Sequence, residues 1–137
     1  MIMKQKYIKN MSDWQRKLME NHPAMFEYLW RPPECNGGWY ELLDKLMSDL
    51  ECRIAESDEK VVLKVRQIKE KFGGLRFYAD VECSKEMGEA LALLIREAEA
   101  KSYSICEVCG SEGRLRRERV WMRTLCDLHD REAGEES

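Results

Sequence analysis

The stretch Val61-Val62-Leu63-Lys64-Val65-Arg66-Gln67-Ile68-Lys69-Glu70-Lys71-Phe72-Gly73-Gly74-Leu75-Arg76-Phe77-Tyr78-Ala79-Asp80-Val81 decides the fold, because the period of the apolar residues changes there. Val61, Leu63 and Val65 alternate with Val62, Lys64 and Arg66, and Leu75, Phe77, Ala79 and Val81 alternate with Arg76, Tyr78 and Asp80. A period of two belongs to strands. Phe72-Gly73-Gly74 supplies the turn, so the two runs are expected to pair as an antiparallel hairpin whose register is open by about one residue. Leu63, Val65, Leu75 and Phe77 then face the interior.

On either side of this hairpin the period is helical. Ser12 with Gln15 forms a capping box for a helix running to about Asn21, with Trp14, Leu18 and Met19 on its buried face. His22-Pro23 reads as a helical restart that carries Met25, Phe26, Leu29 and Trp30 until Arg31-Pro32-Pro33 stops it. After the loop Glu34-Cys35-Asn36-Gly37-Gly38, a second long helix is predicted from Trp39 to about Glu56, with Trp39, Leu43, Leu46, Leu50 and Ile54 at helical spacing. Ser84 caps a third, whose face is Met87, Leu91, Leu94, Ile95 and Ala98 and whose end lies near Ser102. Residues 1 to 11 are polar and expected to fray.

The length of 137 residues allows a core and a small appendage, on a prior of roughly 100 to 200 residues per domain. Division at residues 1–102 and 103–137 follows from the change of composition. With 44% apolar and 36% charged residues, 8 Gly and 3 Pro, the chain is neither disordered, collagenous nor membrane-like. The start MIMKQKYIKN has no apolar run of signal-peptide length, and no stretch reaches the roughly 18 residues of a membrane span, so a cytoplasmic protein is expected. A net charge of -3 means that binding to an anionic partner must come from a local patch.

In such a compartment six cysteines are thiols or metal ligands rather than disulfides. Cys106, Cys109, Cys126 and His129 form C-x2-C, a gap of sixteen, then C-x2-H, whereas Cys35, Cys52 and Cys83 stand alone. The first set suits zinc: two thiolates on a knuckle that Gly110 tightens, then a short strand through Val120, Trp121, Met122 and Leu125 into a helix whose first turn carries Cys126 and His129. Four protein donors leave no open position, so Zn2+ is expected to be structural. Binding on the order of 10 to 16 kcal/mol would fold a piece with so little core of its own. An acidic stretch from Asp127 to Glu136 closes the chain.

Five basic residues and one acid, Glu70, lie between Val61 and Tyr78, a local balance of +4. The outer hairpin face collects Lys64, Arg66, Arg76 and Tyr78, with Lys69 and Lys71 beside the turn and Trp39 and Arg31 as rim candidates. Arginine forks grip phosphate and tyrosine stacks on bases, so the expected ligand is a nucleotide or nucleic acid. A solvated face, neutralised by acids such as Glu86 and Glu89, is the bland alternative. A second basic set, Arg114, Arg116, Arg117, Arg119 and Arg123, is interleaved with Glu107, Glu112 and Glu118.

Catalytic constellations are missing. One of two histidines is a metal ligand, and His22, beside Pro23, reads as a cap rather than a base. The sequence lacks the further ligands of a His-Asn-His nuclease, the deaminase signature, a P-loop, a G-x-G-x-x-G and a G-x-S-x-G. Cys35 lacks a second histidine to activate it, and Cys52 and Cys83 read as small buried thiols.

Four segments, Cys35-Asn36-Gly37-Gly38-Trp39-Tyr40, Ile68-Lys69-Glu70-Lys71-Phe72-Gly73-Gly74-Leu75-Arg76-Phe77-Tyr78, Cys106-Glu107-Val108-Cys109-Gly110 and Trp121-Met122-Arg123-Thr124-Leu125-Cys126-Asp127, together resemble a family of small uncharacterised proteins of bacteria, prophages and phages. That family has a C-G-D-G-W loop, a K-E-K-F-G-x-L-R-F-Y hairpin and a C-terminal zinc module, and the match covers about residues 25 to 130. Asn36-Gly37 departs from its acidic loop. The resemblance implies a phage-type setting, in which small binders block host defences, some by sequestering nucleotide signals.

The expected fold is α+β, three helices packed on one face of an antiparallel β-hairpin and followed by a treble-clef-like zinc module. The expected function is non-enzymatic binding of an anionic, phosphate-bearing ligand. The alternatives are a protein-interaction module that turns aromatics near Trp30, Trp39 and Tyr40 against a host protein, and a zinc-finger nucleic-acid-binding protein. A homo-oligomer is possible because a two-stranded sheet leaves edges that a second copy could cover.

Overall fold

The computed structural model describes residues 3–134. In chain order these form α1 (Gln5–Lys9), α2 (Asp13–Asn21), 3-10 turns at Pro23–Phe26 and Gly37–Trp39, and α3 (Tyr40–Ala55). The strands β1 (Val62–Lys71) and β2 (Gly74–Glu82), the helix α4 (Lys85–Ser102), the short strands β3 (Arg114–Arg116) and β4 (Arg123–Leu125), and α5 (Asp127–Gly134) complete the fold. It is mixed helix and sheet, with two antiparallel two-stranded sheets. No helix among the described residues is long and apolar enough to cross a membrane.

The main hairpin pairs Val62 with Glu82 at one end and Lys71 with Gly74 at the other, and its register shifts between Val65 and Gln67. Arg66 is therefore the extra residue of a bulge, and the alternation changes phase there. Val65 and Ile68, three residues apart, both enter the core. Lys69 consequently pairs with Arg76, and Gln67 with Tyr78, on the outer face. Strict alternation from Val65 would have carried Lys69 inward. Phe72 and Gly73 form the two-residue turn, both with positive φ (53° and 85°), as a type I′ turn requires.

The part of each hairpin edge nearer the turn is covered by the chain itself, which narrows the free edge expected for a second copy. Along β1, Glu34 N–H donates to the Ile68 carbonyl at 2.8 Å and Glu70 N–H donates to the Glu34 carbonyl at 3.1 Å. Trp30 N–H reaches the Arg66 carbonyl at 3.3 Å, so residues 30–34 run beside β1 as a partial third strand. Along β2, Leu75 N–H donates to Ser102 Oγ and Phe77 N–H to Glu99 Oε2, each at 2.9 Å. Side chains of α4 thus satisfy donors that would otherwise recruit another strand.

The helices stack in series rather than side by side: α4 lies on β2, α3 on α4, and α2 on α3. Leu43, Leu46 and Leu50 of α3 and Met87, Leu91 and Ala98 of α4 are buried at the expected spacing, while Leu94, Ile95 and Ile54 pack at the margin. The Ser12 capping box forms, with Ser12 N–H donating to Gln15 Oε1 at 2.8 Å. After His22 the chain makes only a 3-10 turn where a helical restart was expected, yet Met25, Phe26 and Leu29 are buried as that reading required. The amino-terminal segment is also more ordered than its polarity suggested. Met3 and Met11 are anchored in the core on either side of α1, which is too short to persist by propensity alone. Met1, Ile2 and the end of the acidic stretch, Glu135 and Glu136, lie outside the described residues.

Ser102 is fully buried, donating to the Glu99 carbonyl at 2.6 Å while accepting from Leu75. Ser102→Ala leaves the Leu75 N–H unsatisfied, and chemical denaturation should show a loss of about 1–3 kcal/mol.

Candidate metal centre and basic hairpin face

Cys106 and Cys109 lie on a knuckle closed by Gly110 N–H donating to the Cys106 carbonyl at 2.9 Å, with Gly110 at φ 83°. Cys126 follows β4, and its carbonyl accepts Asp130 N–H at 2.9 Å, which places His129 in the first turn of α5. The four donor atoms all lie within 4.8 Å of one another. Cys109 Sγ is 3.8 Å from Cys126 Sγ, and His129 Nδ1 is 3.6 Å from Cys106 Sγ and 3.2 Å from Cys126 Sγ. Tetrahedral zinc, with bonds near 2.3 Å to sulfur and 2.0 Å to nitrogen, requires edges of about 3.8 and 3.5 Å. The cluster can therefore hold a metal ion of that kind. Ser111, through its side chain and then its backbone, pulls the Cys109 thiol down to about 6, toward the thiolate a metal needs. His129 Nε2 turns toward Glu132, 4.0 Å away.

This cluster is not an appendage. Gly38 N–H donates to the Glu107 carbonyl at 2.7 Å, Asn36 N–H to Glu107 Oε2 at 3.1 Å, and the Trp39 indole to the Ile105 carbonyl at 3.0 Å. A Cβ on Gly38 would lie 2.2 Å from the Cys106 carbonyl oxygen and 2.4 Å from that of Glu107. On the other side, Thr124 Oγ1 donates to the Gly73 carbonyl at 2.7 Å, and a Cβ on Gly74 would meet the Tyr103 ring at 2.3 Å. Residues 35–40, 68–78, 106–110 and 121–127 meet at this junction. Glu107 sits at its centre, 5% exposed. Burial pushes its carboxyl above the ordinary value, against the pull of the Asn36 N–H and the Arg123 guanidinium.

Several expected ligand residues are differently employed. Trp39 is fully buried and so cannot form a rim or a partner surface; its indole is spent on Ile105. Arg31 is exposed and lies over the Tyr7 ring, 5.5 Å from its centroid. Arg66 pairs with Asp80 at 2.8 Å, so Asp80, rather than Glu86 or Glu89, supplies the neutralising charge. Tyr28 was missed: Lys64 and Arg66 lie over its ring at 5.0 and 5.7 Å, a contact that sequence spacing gave no means of anticipating. Arg76 donates to the Tyr103 hydroxyl at 3.2 Å, while Tyr78 is exposed. Lys69 and Lys71 make no ion pair among the described residues.

In the second basic set, Arg116 is buried, donating to the Leu125 carbonyl and to Asp127 at 2.9 Å, and Arg119 donates to Asp130 at 3.0 Å. These two clamp the β3–β4 hairpin to α5, which leaves Arg114 and Arg117 exposed. Cys35 is half-buried, and burial, then the Glu107 charge, push its thiol above the ordinary range. Cys52 is exposed and Cys83 half-buried, against the expectation of two buried thiols. His22 makes no side-chain cap; its ring is held between Glu51 at 2.5 Å and Asp44 at 2.7 Å. Val120 and Trp121, read as strand residues, instead project from the β3–β4 loop.

Comparison of the chain with family models, curated proteins and solved structures finds no match.

Gly38→Ala forces a methyl against two backbone carbonyls that cannot rotate aside. Thermal and denaturant unfolding should show a loss of about 3 kcal/mol, at the upper end for overpacking. Cys106→Ser, or removal of metal with a chelator, should melt the segment after residue 102. It should also red-shift the emission of Trp39, since the Ile105 carbonyl that holds its indole belongs to that segment.

Proposed function

We propose that the chain is a non-enzymatic binding protein, stabilised by a structural Zn2+ on Cys106, Cys109, Cys126 and His129 in a treble-clef-like arrangement. Its proposed ligand is anionic and phosphate-bearing, a nucleotide or nucleic acid, held on the outer face of the β1–β2 hairpin. The observation that carries this reading is the line of Lys69, Lys71, Arg76 and Tyr78 on one face, with both lysines free of ion pairs among the described residues. Lys64 and Arg66, steadied over Tyr28, extend it. The bulge at Arg66 supports the reading, because it is what turns Lys69 to the same side as Arg76. For zinc, the support is the gathering of three thiols and one imidazole within 4.8 Å of one another, and four protein donors would leave no position for a substrate. A phage-type role in counter-defence, as a sponge for a nucleotide signal, rests on the resemblance and belongs to this proposal.

Lys69→Glu with Lys71→Glu should weaken binding of ATP, measured by titration calorimetry, by about tenfold or more, and rising salt should weaken the wild type likewise. Equal affinity in a double variant with an unchanged melting temperature would overturn the reading.

A further inference from the structure

Two apolar tips remain outside the core and outside the metal cluster. Phe72, 62% exposed, caps the β1–β2 turn at φ 53°, a backbone region that disfavours bulky side chains and in which asparagine or glycine is the usual occupant. Val120 and Trp121, 93% and 81% exposed, crown the β3–β4 loop. A large ring held at a strained position without burial gains nothing for the fold.

The two tips are neighbours. Thr124 bonds to the carbonyl of Gly73, the residue after Phe72, and a Cβ on Gly73 would lie 2.3 Å from Leu115 Cδ1 and 3.4 Å from Arg123 Cα. Trp121 precedes Arg123 by two residues, a reach of at most about 7 Å. Cations outnumber acids around the pair: Lys71 lies 5.6 Å from the Phe72 ring centroid, Lys69 and Arg76 stand behind it on the same face, and Arg117 is exposed in the other loop. Of the acids, Glu70 accepts the Gly73 N–H at 2.7 Å, Glu34 lies beside Lys69 and Glu118 stands in the other loop. Lysine is depleted at the centres of protein–protein interfaces, whereas exposed rings set among cations stack bases and neutralise the phosphates between them.

We infer that Phe72 and Trp121 together form a stacking platform for single-stranded nucleic acid, whose backbone runs over Lys69, Lys71 and Arg76. This rests on the hairpin face as a phosphate site and narrows its ligand from a nucleotide to a polymer that bridges both tips. Tyr78, further along the face, offers a third ring.

Fluorescence anisotropy with a labelled oligo-deoxythymidylate, beside calorimetry with ATP, tests it. Phe72→Asn and Trp121→Ala should each weaken the oligonucleotide by about tenfold or more, the loss of one stacked base, and leave ATP binding unchanged. Phe72→Asn should also raise the melting temperature, because asparagine accepts the left-handed conformation, which separates lost stacking from lost folding. Trp121→Phe should restore much of the affinity. Wild-type oligonucleotide affinity in both variants would overturn the inference, as would a wild type that binds ATP but not the oligonucleotide, an outcome that leaves the phosphate site standing. Failure to bind either ligand would overturn both readings.

Discussion

The contact on which the rest of the structure depends is the approach of the Gly38 backbone to the carbonyls of Cys106 and Glu107. It joins the loop that ends at α3 to the knuckle that carries two thiolates, and it is possible only because residue 38 has no side chain. Its counterpart on the hairpin side is the Gly73 carbonyl bonded by Thr124. Through these two ties, whatever stabilises the knuckle also orders the first loop and the hairpin turn. The free energy of metal binding, on the order of 10 kcal/mol for structural zinc, would therefore be shared across both parts of the chain.

Glu107 shows what that sharing costs. A carboxylate taken out of water is penalised, and its raised pKa reports the penalty. An apolar residue would be cheaper to bury, but it would leave the Asn36 N–H without an acceptor and the Arg123 guanidinium without a facing charge. The glutamate fixes the orientation of the loop relative to the knuckle. Cys35 lies half-buried in the same junction, where burial and the Glu107 charge push its thiol upward.

Legibility in the sequence followed the range of the interaction. The Ser12 capping box, the Ser84 cap, the helical faces of α3 and α4, the turn and the ligand spacing are local patterns, and the structure keeps them. The bulge at Arg66 could not be read, because a residue that slips phase leaves an alternation that looks intact on either side of it. The partial covering of both hairpin edges was invisible for the same reason: Glu34 beside β1, and Ser102 and Glu99 beside β2, are far from their partners in sequence. Trp39 illustrates the opposite error. An aromatic after a glycine-rich loop reads as a rim, yet its indole N–H found a carbonyl at residue 105 and its ring went fully into the core. Among the charged residues, composition marked the basic hairpin but could not distinguish Arg116, buried as a clamp, from Arg117, left in solvent.

The glycine-rich and cysteine-bearing segments are largely used up in the junction. Gly38 and Trp39, Gly73 and Gly74, Cys106 to Gly110, and Thr124 all meet one another there rather than a solvent-facing cleft. The proposed ligand would then be met by what the junction leaves outside: the lysines beyond the bulge, Tyr78, and the rings at the two tips. Their relative placement is set by the Thr124 bond to Gly73, and Thr124 stands two residues before the metal donor Cys126. A metal held by the four donors would thus act on the proposed binding without touching the ligand, by holding the two tips in register.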